Sequence, residues 1–339
     1  MRITRESLLR LARNTVIQRT RLNRRLVCVY LTGSLLSEEP LLGGVTDIDL
    51  VFVHDSEPPY PRAVERVTDE VHLDIAHYSQ GQFQQPRHLR SDPWLGSFLC
   101  NNPLVLHDIQ HWFEFTQAGV CAQFGLPEYI LERARPQAEQ ARQWWFELHS
   151  GSQEPGPHKL SIYLKALELA ANAIATLSGP PLTDRRFLLH FPERTERIGH
   201  PGLAGGLVDL FTSPVFNDEH WPAWRTAWNQ ALSQVSDLPD CPPRLHSCRQ
   251  AYYDRAANAL FADQPAAALW IVLRTWSQAL SLLPAEESDP AAPTSAAWQE
   301  FTRALQLDEE HFLQRINALD AYLDHIEETL DTWAKENGV

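Results

Sequence analysis

Two aspartates, Asp47 and Asp49, stand one residue apart in the apolar run "TDIDLVFVH". On a β-strand, side chains two apart share a face. Both carboxylates therefore project together, while Ile48 and Leu50 turn toward a core. Parallel carboxylates with an apolar backing suit a divalent cation, and Mg2+ prefers such oxygen ligands while leaving part of its shell to water and phosphate. Asp74, between Leu73 and Ile75, repeats the pattern of one acid flanked by apolar residues. If the two strands are neighbours, three carboxylates converge. Like charges that close are costly, and a cation removes the penalty. Upstream, Gly33-Ser34 ends another apolar run. Gly33 lets backbone approach a ligand closely, and the backbone N–H groups there, with the Ser34 hydroxyl, can hold triphosphate oxygens. A metal beside a phosphate cradle is the equipment of phosphoryl transfer, which depends mostly on positioning and charge neutralisation.

The stretch "LTGSLLSEEPLLGGVTDIDLVFV" resembles the signature of the DNA polymerase beta-type nucleotidyltransferase superfamily. That signature is apolar-Gly-Ser, a spacer, Asp-apolar-Asp-apolar, and a third acid on a later strand. The resemblance covers residues 1 to about 115. The helical remainder is similar in architecture to the bacterial branch containing kanamycin and streptomycin nucleotidyltransferases. The resemblance implies that Ser34 contacts the nucleotide's phosphates and that Asp47 and Asp49 bind Mg2+. Asp74 would be a third metal ligand or the base that activates an acceptor hydroxyl. It implies an α+β chain, a nucleotidyltransferase fold with a small mixed sheet followed by an all-helical bundle, with the site in the cleft between them. The expected activity is Mg2+-dependent transfer of a nucleoside monophosphate from an NTP to a hydroxyl of a small molecule, an aminoglycoside-like cation in view of the acidic chain. Two alternatives stand beside it. One is the same chemistry on a protein or a tRNA, as in toxin-type members of the superfamily. The other is a non-catalytic nucleotide-binding module.

These residues need elements to hold them. Leu8, Leu9, Ala12, Val16 and Ile17 lie along one side of an amphipathic helix at the start of the chain. Eight arginines up to Arg25, against Glu6, give that helix a solvated basic face or an anion or RNA contact. Strands are expected at 26–31, 47–54, 71–78 and 102–108. A helix is expected from Pro61 to about Glu70, and Pro40 with Gly43-Gly44 limits any helix after Ser34 to about one turn.

Beyond residue 120 strand patterns give way to helical periodicity, which places one domain at 1–115 and an all-helical one at 120–339, with a further division expected near 180–215. In "HKLSIYLKALELAANAIATLSG", Leu160, Tyr163, Leu164, Leu167, Ala171, Ile174 and Leu177 form an apolar face. Ser161, Lys165, Glu168 and Asn172 form a polar stripe opposite, read as a solvated face or, with Lys159 and Lys165 as candidate phosphate-binding lysines, as acceptor-recognising groups at the domain cleft. Trp144-Trp145-Phe146 reads as core, and Glu147 as a candidate acceptor-site base. Pro222 suits the first turn of a helix bearing Trp221, Trp224 and Trp228. Residues 150–157 and 284–295 read as connectors. Phe312, Ile316, Leu319, Leu323, Ile326, Leu330 and Trp333 form a seam of 3.5-residue period, read either as bundle core or as a homodimer contact.

Composition bounds the rest. The chain has 339 residues and a formal net charge of −14. Such a surface repels a phosphate backbone, so a broad nucleic-acid face is not expected. The run "AAALWIVL" is cut by Arg274, too short for a membrane span, and the charged N-terminus lacks the apolar core of a signal peptide. Cytoplasmic residence is the expectation. Of the five cysteines, Cys28 and Cys100 read as small buried hydrophobes, and Cys241-His246-Cys248 lacks the second ligand cluster of a metal site.

Overall fold

The structure, a computed structural model, describes residues 3–151, 156–214, 218–283 and 293–339. The chain divides into two compact units, Met1–Tyr129 and Ile130–Val339. The first is mixed α and β; the second is helical, so the chain is of the α+β class.

In the first unit, helix α1 (Arg5–Leu22) begins at Thr4, whose hydroxyl accepts from the Ser7 N–H while the Ser7 side chain returns to the Thr4 N–H. This reciprocal cap satisfies two backbone donors that helix geometry leaves orphaned. Strands β1 (Leu26–Thr32), β2 (Thr46–His54), β3 (Arg62–Arg66), β4 (Val71–Ser79) and β5 (Leu104–Asp108) form one sheet in the order β3-β4-β2-β1-β5. Only β2 and β4 run parallel; the other neighbours are antiparallel. Three helices complete the unit: α2 (Pro86–Ser91), α3 (Leu95–Cys100) and α4 (Trp112–Phe124).

Period-two alternation gives the sheet two differently dressed faces. Ile48, Leu50 and Phe52 of β2, with Leu73 and Ile75 of β4, pack with Leu8, Ala12 and Val16 of α1. Val51 and Val53 face the other way, onto Cys28, Tyr30, Leu89, Leu99, Phe113 and Val120. The helices α2–α4 thus cover the late half of β2 on the face that carries Asp47 and Asp49 in its early half. Leu8, Ala12 and Val16 are buried as the periodicity predicts, but Ile17 is exposed, and Arg10, Arg13, Arg21, Arg24 and Arg25 lie exposed too.

Three expectations are corrected here. Residues 62–66 are strand β3, not a helix from Pro61 to Glu70. The five residues "RAVER" lie between two turns, too short for a stable helix. Their charged side chains suit an edge strand, where charge discourages further pairing. The first unit runs past residue 115, because Phe113 and Val120 of α4 belong to its core. Cys100 is not a free buried thiol: it forms a disulfide with Cys121, tying α3 to α4 across a Cα–Cα distance of 5.5 Å.

The second unit contains α5 (Pro127–Ser150, from Ile130 onward), α6 (Pro157–Thr176), α7 (Phe187–Arg197), α8 (Gly202–Asp209), α9 (Trp221–Ser236), α10 (Gln250–Leu260), α11 (Pro265–Leu282), α12 (Pro293–Ala304) and α13 (Glu309–Glu336). Its centre is aromatic: Trp224, Trp228, Trp270 and Trp276 are fully buried. In the run "AAALWIVL", every residue from Ala267 to Leu273 of α11 is buried, so this helix is covered all round. Among the described residues no helix is long and apolar enough to cross a membrane. Of the region near 180–215, the described residues 180–214 pack inside this unit rather than dividing it: Phe187 of α7 stacks on Trp270 at 4.8 Å and Phe211 is fully buried. The expected connector at 284–295 lies mostly outside the described residues, as do residues 152–155 of the 150–157 loop.

Candidate active site

Strand register brings the acids together. Across the parallel pair β2–β4, Asp49 stands opposite Asp74, and Asp47 opposite His72. Across the antiparallel pair β1–β2, Thr32 stands opposite Asp49. One carboxylate oxygen from each of Asp47, Asp49 and Asp74 lies within 4.8 Å of the others. Asp47 and Asp74 are buried, and Asp49 is half-buried. A sequence distance of 25 residues or more is closed because β3 and its turns return the chain to start β4 alongside β2. The Thr46 N–H donates to Glu70 C=O at 3.0 Å, fixing that alignment at its first residue.

The loop joining β1 to β2 lies against these acids. Gly33 has φ 76° and ψ −161°, a backbone state that only glycine adopts without strain. A Cβ there would fall 1.8 Å from Asp49 Oδ2. Glycine is therefore required twice over, by its backbone and by the carboxylate pressed against it. Ser34–Leu36 form one short helical turn, closed by Leu36 N–H donating to Gly33 C=O at 3.2 Å and Ser37 N–H to Ser34 C=O at 3.0 Å. The Leu42–Val45 turn is closed by a reciprocal pair of backbone hydrogen bonds, with Gly43 and Gly44 both at positive φ. That is the turn that two glycines favour between antiparallel segments. Thr46 Oγ1 then donates to Pro40 C=O at 3.0 Å, and Arg5 Nε to Leu35 C=O at 3.1 Å, so the loop is fastened to β2 and to α1. Inside this fastened loop the Ser34 hydroxyl is buried and has no hydrogen-bond partner. Buried hydroxyls are normally satisfied, and this one directly follows the glycine that packs against Asp49.

One residue of the site was missed from sequence. Arg62, on β3, donates from Nε to Asp74 Oδ1 and from a terminal nitrogen to Asp74 Oδ2, both at 2.6 Å. This two-pronged pairing is the strong form of a charge-assisted contact. With residues 61–70 read as helix, Arg62 had no reason to share a face with Asp74. Read as a strand, "RAVER" alternates Arg62, Val64 and Arg66 on one face, and Val64 stands opposite Asp74 in the antiparallel register.

The other sequence candidates belong to the second unit and have local explanations. Lys165 is exposed, while the Lys159 ammonium lies 5.9 Å from the centre of the Phe312 ring. The expected polar stripe is partly interior. Glu168 pairs with buried Arg274 and lies near Arg244, and these cations hold its carboxyl below the usual range against the opposing effect of burial. Asn172 accepts from Leu182 N–H at 2.7 Å and donates to Leu182 C=O at 3.2 Å. Phe146 is exposed rather than core, as is Glu147, while Trp145 Nε1 donates to Ile316 C=O at 3.0 Å. The seam from Phe312 to Leu330 is buried in this unit's own bundle, and Trp333 is half-buried. A second cluster, Asp308, Glu310 and His311, sits at the start of α13. There His311 Nδ1 bonds Asp308 Oδ1 at 2.6 Å, and acids favour a helix N-terminus. Among the described residues, Cys241, His246 and Cys248 do not form a metal-binding group: His246 Nδ1 accepts from Cys248 N–H at 3.3 Å.

The three carboxylates could hold a metal ion, and hard oxygen donors of this kind suit Mg2+. Asp47 and Asp49 would hold the ion, while Asp74 is already engaged by Arg62. The sequence matches none of the protein-family models with which it was compared, and no curated protein either.

Proposed function

We propose that the chain is a Mg2+-dependent nucleotidyltransferase, built on a polymerase beta-type nucleotidyltransferase fold in Met1–Tyr129. The observation that carries this reading is the conjunction at one sheet end: three carboxylates within 4.8 Å of one another, with Gly33 of the Gly33-Ser34 pair packed against one of them, Asp49.

In this reading the backbone at Gly33 and Ser34, with the Ser34 hydroxyl, binds the triphosphate. Asp47 and Asp49 bind Mg2+, which when present neutralises charge developing on the phosphates. Asp74, set at the same level of the sheet as Asp49, orients the acceptor hydroxyl and takes its proton. The acceptor oxygen forms a bond to the α-phosphorus as the bond to the bridging oxygen breaks, and pyrophosphate leaves. Nucleotide transfer requires only that these groups be positioned before the reaction. The acceptor proposed is a small hydroxylated cation, in keeping with a net charge of −14. A second reading, transfer to a tRNA end, draws on the exposed arginines of the α1 region.

The test is incubation with each α-phosphate-labelled NTP, with and without Mg2+, against hydroxylated cations, tRNA and the protein itself. Label transfer with pyrophosphate release is expected with a small acceptor. No transfer and no Mg2+-dependent NTP binding would refute the proposal.

A further inference from the structure

Arg62 sets a problem that the proposed chemistry does not solve. Its guanidinium engages both oxygens of Asp74. An oxygen held this way is poorly placed to bind a cation or to accept a proton from an acceptor hydroxyl. Yet the two partners are unequal. The Asp74 side chain is 2% exposed and that of Arg62 is 48% exposed. Arg62 stands at the first residue of an edge strand that pairs on one side only. Asp74 is thus fixed, while the arginine arm reaches in from solvent. Both phosphate and carboxylate fit the guanidinium fork, and a triphosphate carries more charge than one carboxylate.

We propose that Arg62 is a latch on Asp74 that an incoming nucleoside triphosphate releases. Without nucleotide, the fork neutralises the most buried part of the acid cluster and keeps the third carboxylate from a cation. When the triphosphate settles on Gly33 and Ser34, the guanidinium moves to its anionic oxygens. Asp74 is then free to act on the acceptor or to join the cation site. No bond is made or broken in this exchange; one charge-assisted pairing replaces another. The consequence is order: nucleotide and cation bind together, and a cation alone binds poorly. This inference rests on the nucleotidyltransferase reading of the same site.

The experiment measures Mn2+ affinity by electron paramagnetic resonance, with and without a non-hydrolysable NTP. The proteins are the wild type, Arg62→Gln, Arg62→Lys and the double variant Arg62→Gln/Asp74→Asn. Wild type should bind Mn2+ at least tenfold more tightly with nucleotide than without. Arg62→Gln should bind Mn2+ without nucleotide about tenfold more tightly than wild type, and should lose about tenfold in nucleotide affinity. The double variant should lose the gain in Mn2+ affinity, which locates the effect at Asp74. Arg62→Lys, which keeps the charge but not the fork, should fall between, and it serves as the folded control if Arg62→Gln is unstable. If Arg62→Gln and Arg62→Lys both match wild type in Mn2+ affinity and in its response to nucleotide, the latch is overturned while the nucleotidyltransferase reading stands. If no protein binds Mn2+ under any condition, that reading fails and the latch with it.

Discussion

Replacing Gly33 by alanine perturbs the candidate site through two separable effects. The first is backbone strain. At φ 76° and ψ −161° an alanine sits in a region essentially reserved for glycine, at a cost of about 1–3 kcal/mol. The second is overlap. The new Cβ would lie 1.8 Å from Asp49 Oδ2 and 2.6 Å from its Cγ, far inside van der Waals contact, so the Asp49 side chain must leave its present position. Gly33→Ala should therefore lower the urea midpoint of the first unit's transition by an amount equivalent to about 2 kcal/mol. It should also weaken Mn2+ binding in the presence of nucleotide by at least about tenfold. A double-mutant cycle separates the two effects. In an Asp49→Ala background the nearest remaining contact is the residue 49 Cβ, at 3.0 Å, so the overlap largely disappears and only the strain persists. The coupling between the two substitutions should reach about 1 kcal/mol, within the range for residues in direct contact. A Gly33→Ala protein as stable as wild type, or a coupling near zero, would refute the packing of this glycine against Asp49.

Further expectations concern the rest of the molecule. Glu168→Gln leaves Arg274, which is 4% exposed, without its charged partner; it should destabilise the protein by about 3–5 kcal/mol in urea unfolding, and an unchanged midpoint would contradict an interior role. Reducing the Cys100–Cys121 disulfide, which spans 21 residues, should cost about 3 kcal/mol by the loop-entropy relation, read as a drop in the urea midpoint that Cys121→Ser also produces. His77 on β4, in contact with His54 Nε2 at 2.9 Å, has its pKa lowered from 6.5 to about 4 by burial, then by His54 and Arg19. The fold favours the neutral ring, so its contribution to stability is full above pH 6.5 and is lost as pH falls toward 4. His77→Gln should flatten the dependence of the urea midpoint on pH in that window; an unchanged slope would show that His77 is not protonated on unfolding there.

What was legible in the sequence follows from which signals are local. Asp47, Asp49 and Asp74 lie in strongly apolar strands, and alternation alone orients them; the parallel register that sets Asp49 against Asp74 then needs only that the strands be neighbours. Gly33 and Ser34 stand where an apolar strand ends, so their place in a loop was readable too. Arg62 was not, because a five-residue edge strand lies half in solvent and lacks an apolar face to declare its period. Glu168 and Asn172 were misread as a solvent-facing stripe for the converse reason. Helical spacing shows which residues share a face, but not that Arg274 and Leu182 cover that face in the folded unit. Cys100 and Cys121 are separated by a strand and a turn, and spacing alone does not pair them. The seam of α13 was readable as apolar, while its burial in this unit's own bundle depends on helices distant in sequence.

The central claim is that the aspartates of β2 bind a nucleotide through a cation. Calorimetric titration of an NTP into wild type and Asp49→Asn, each with and without Mg2+, measures this directly. NTP binding by wild type should require Mg2+. Asp49→Asn, with one charge removed and side-chain shape kept, should stay folded and lose at least about tenfold in that Mg2+-dependent affinity, the scale of one charge-assisted contact. Equal NTP affinity in the two proteins, or wild-type binding indifferent to Mg2+, would contradict it.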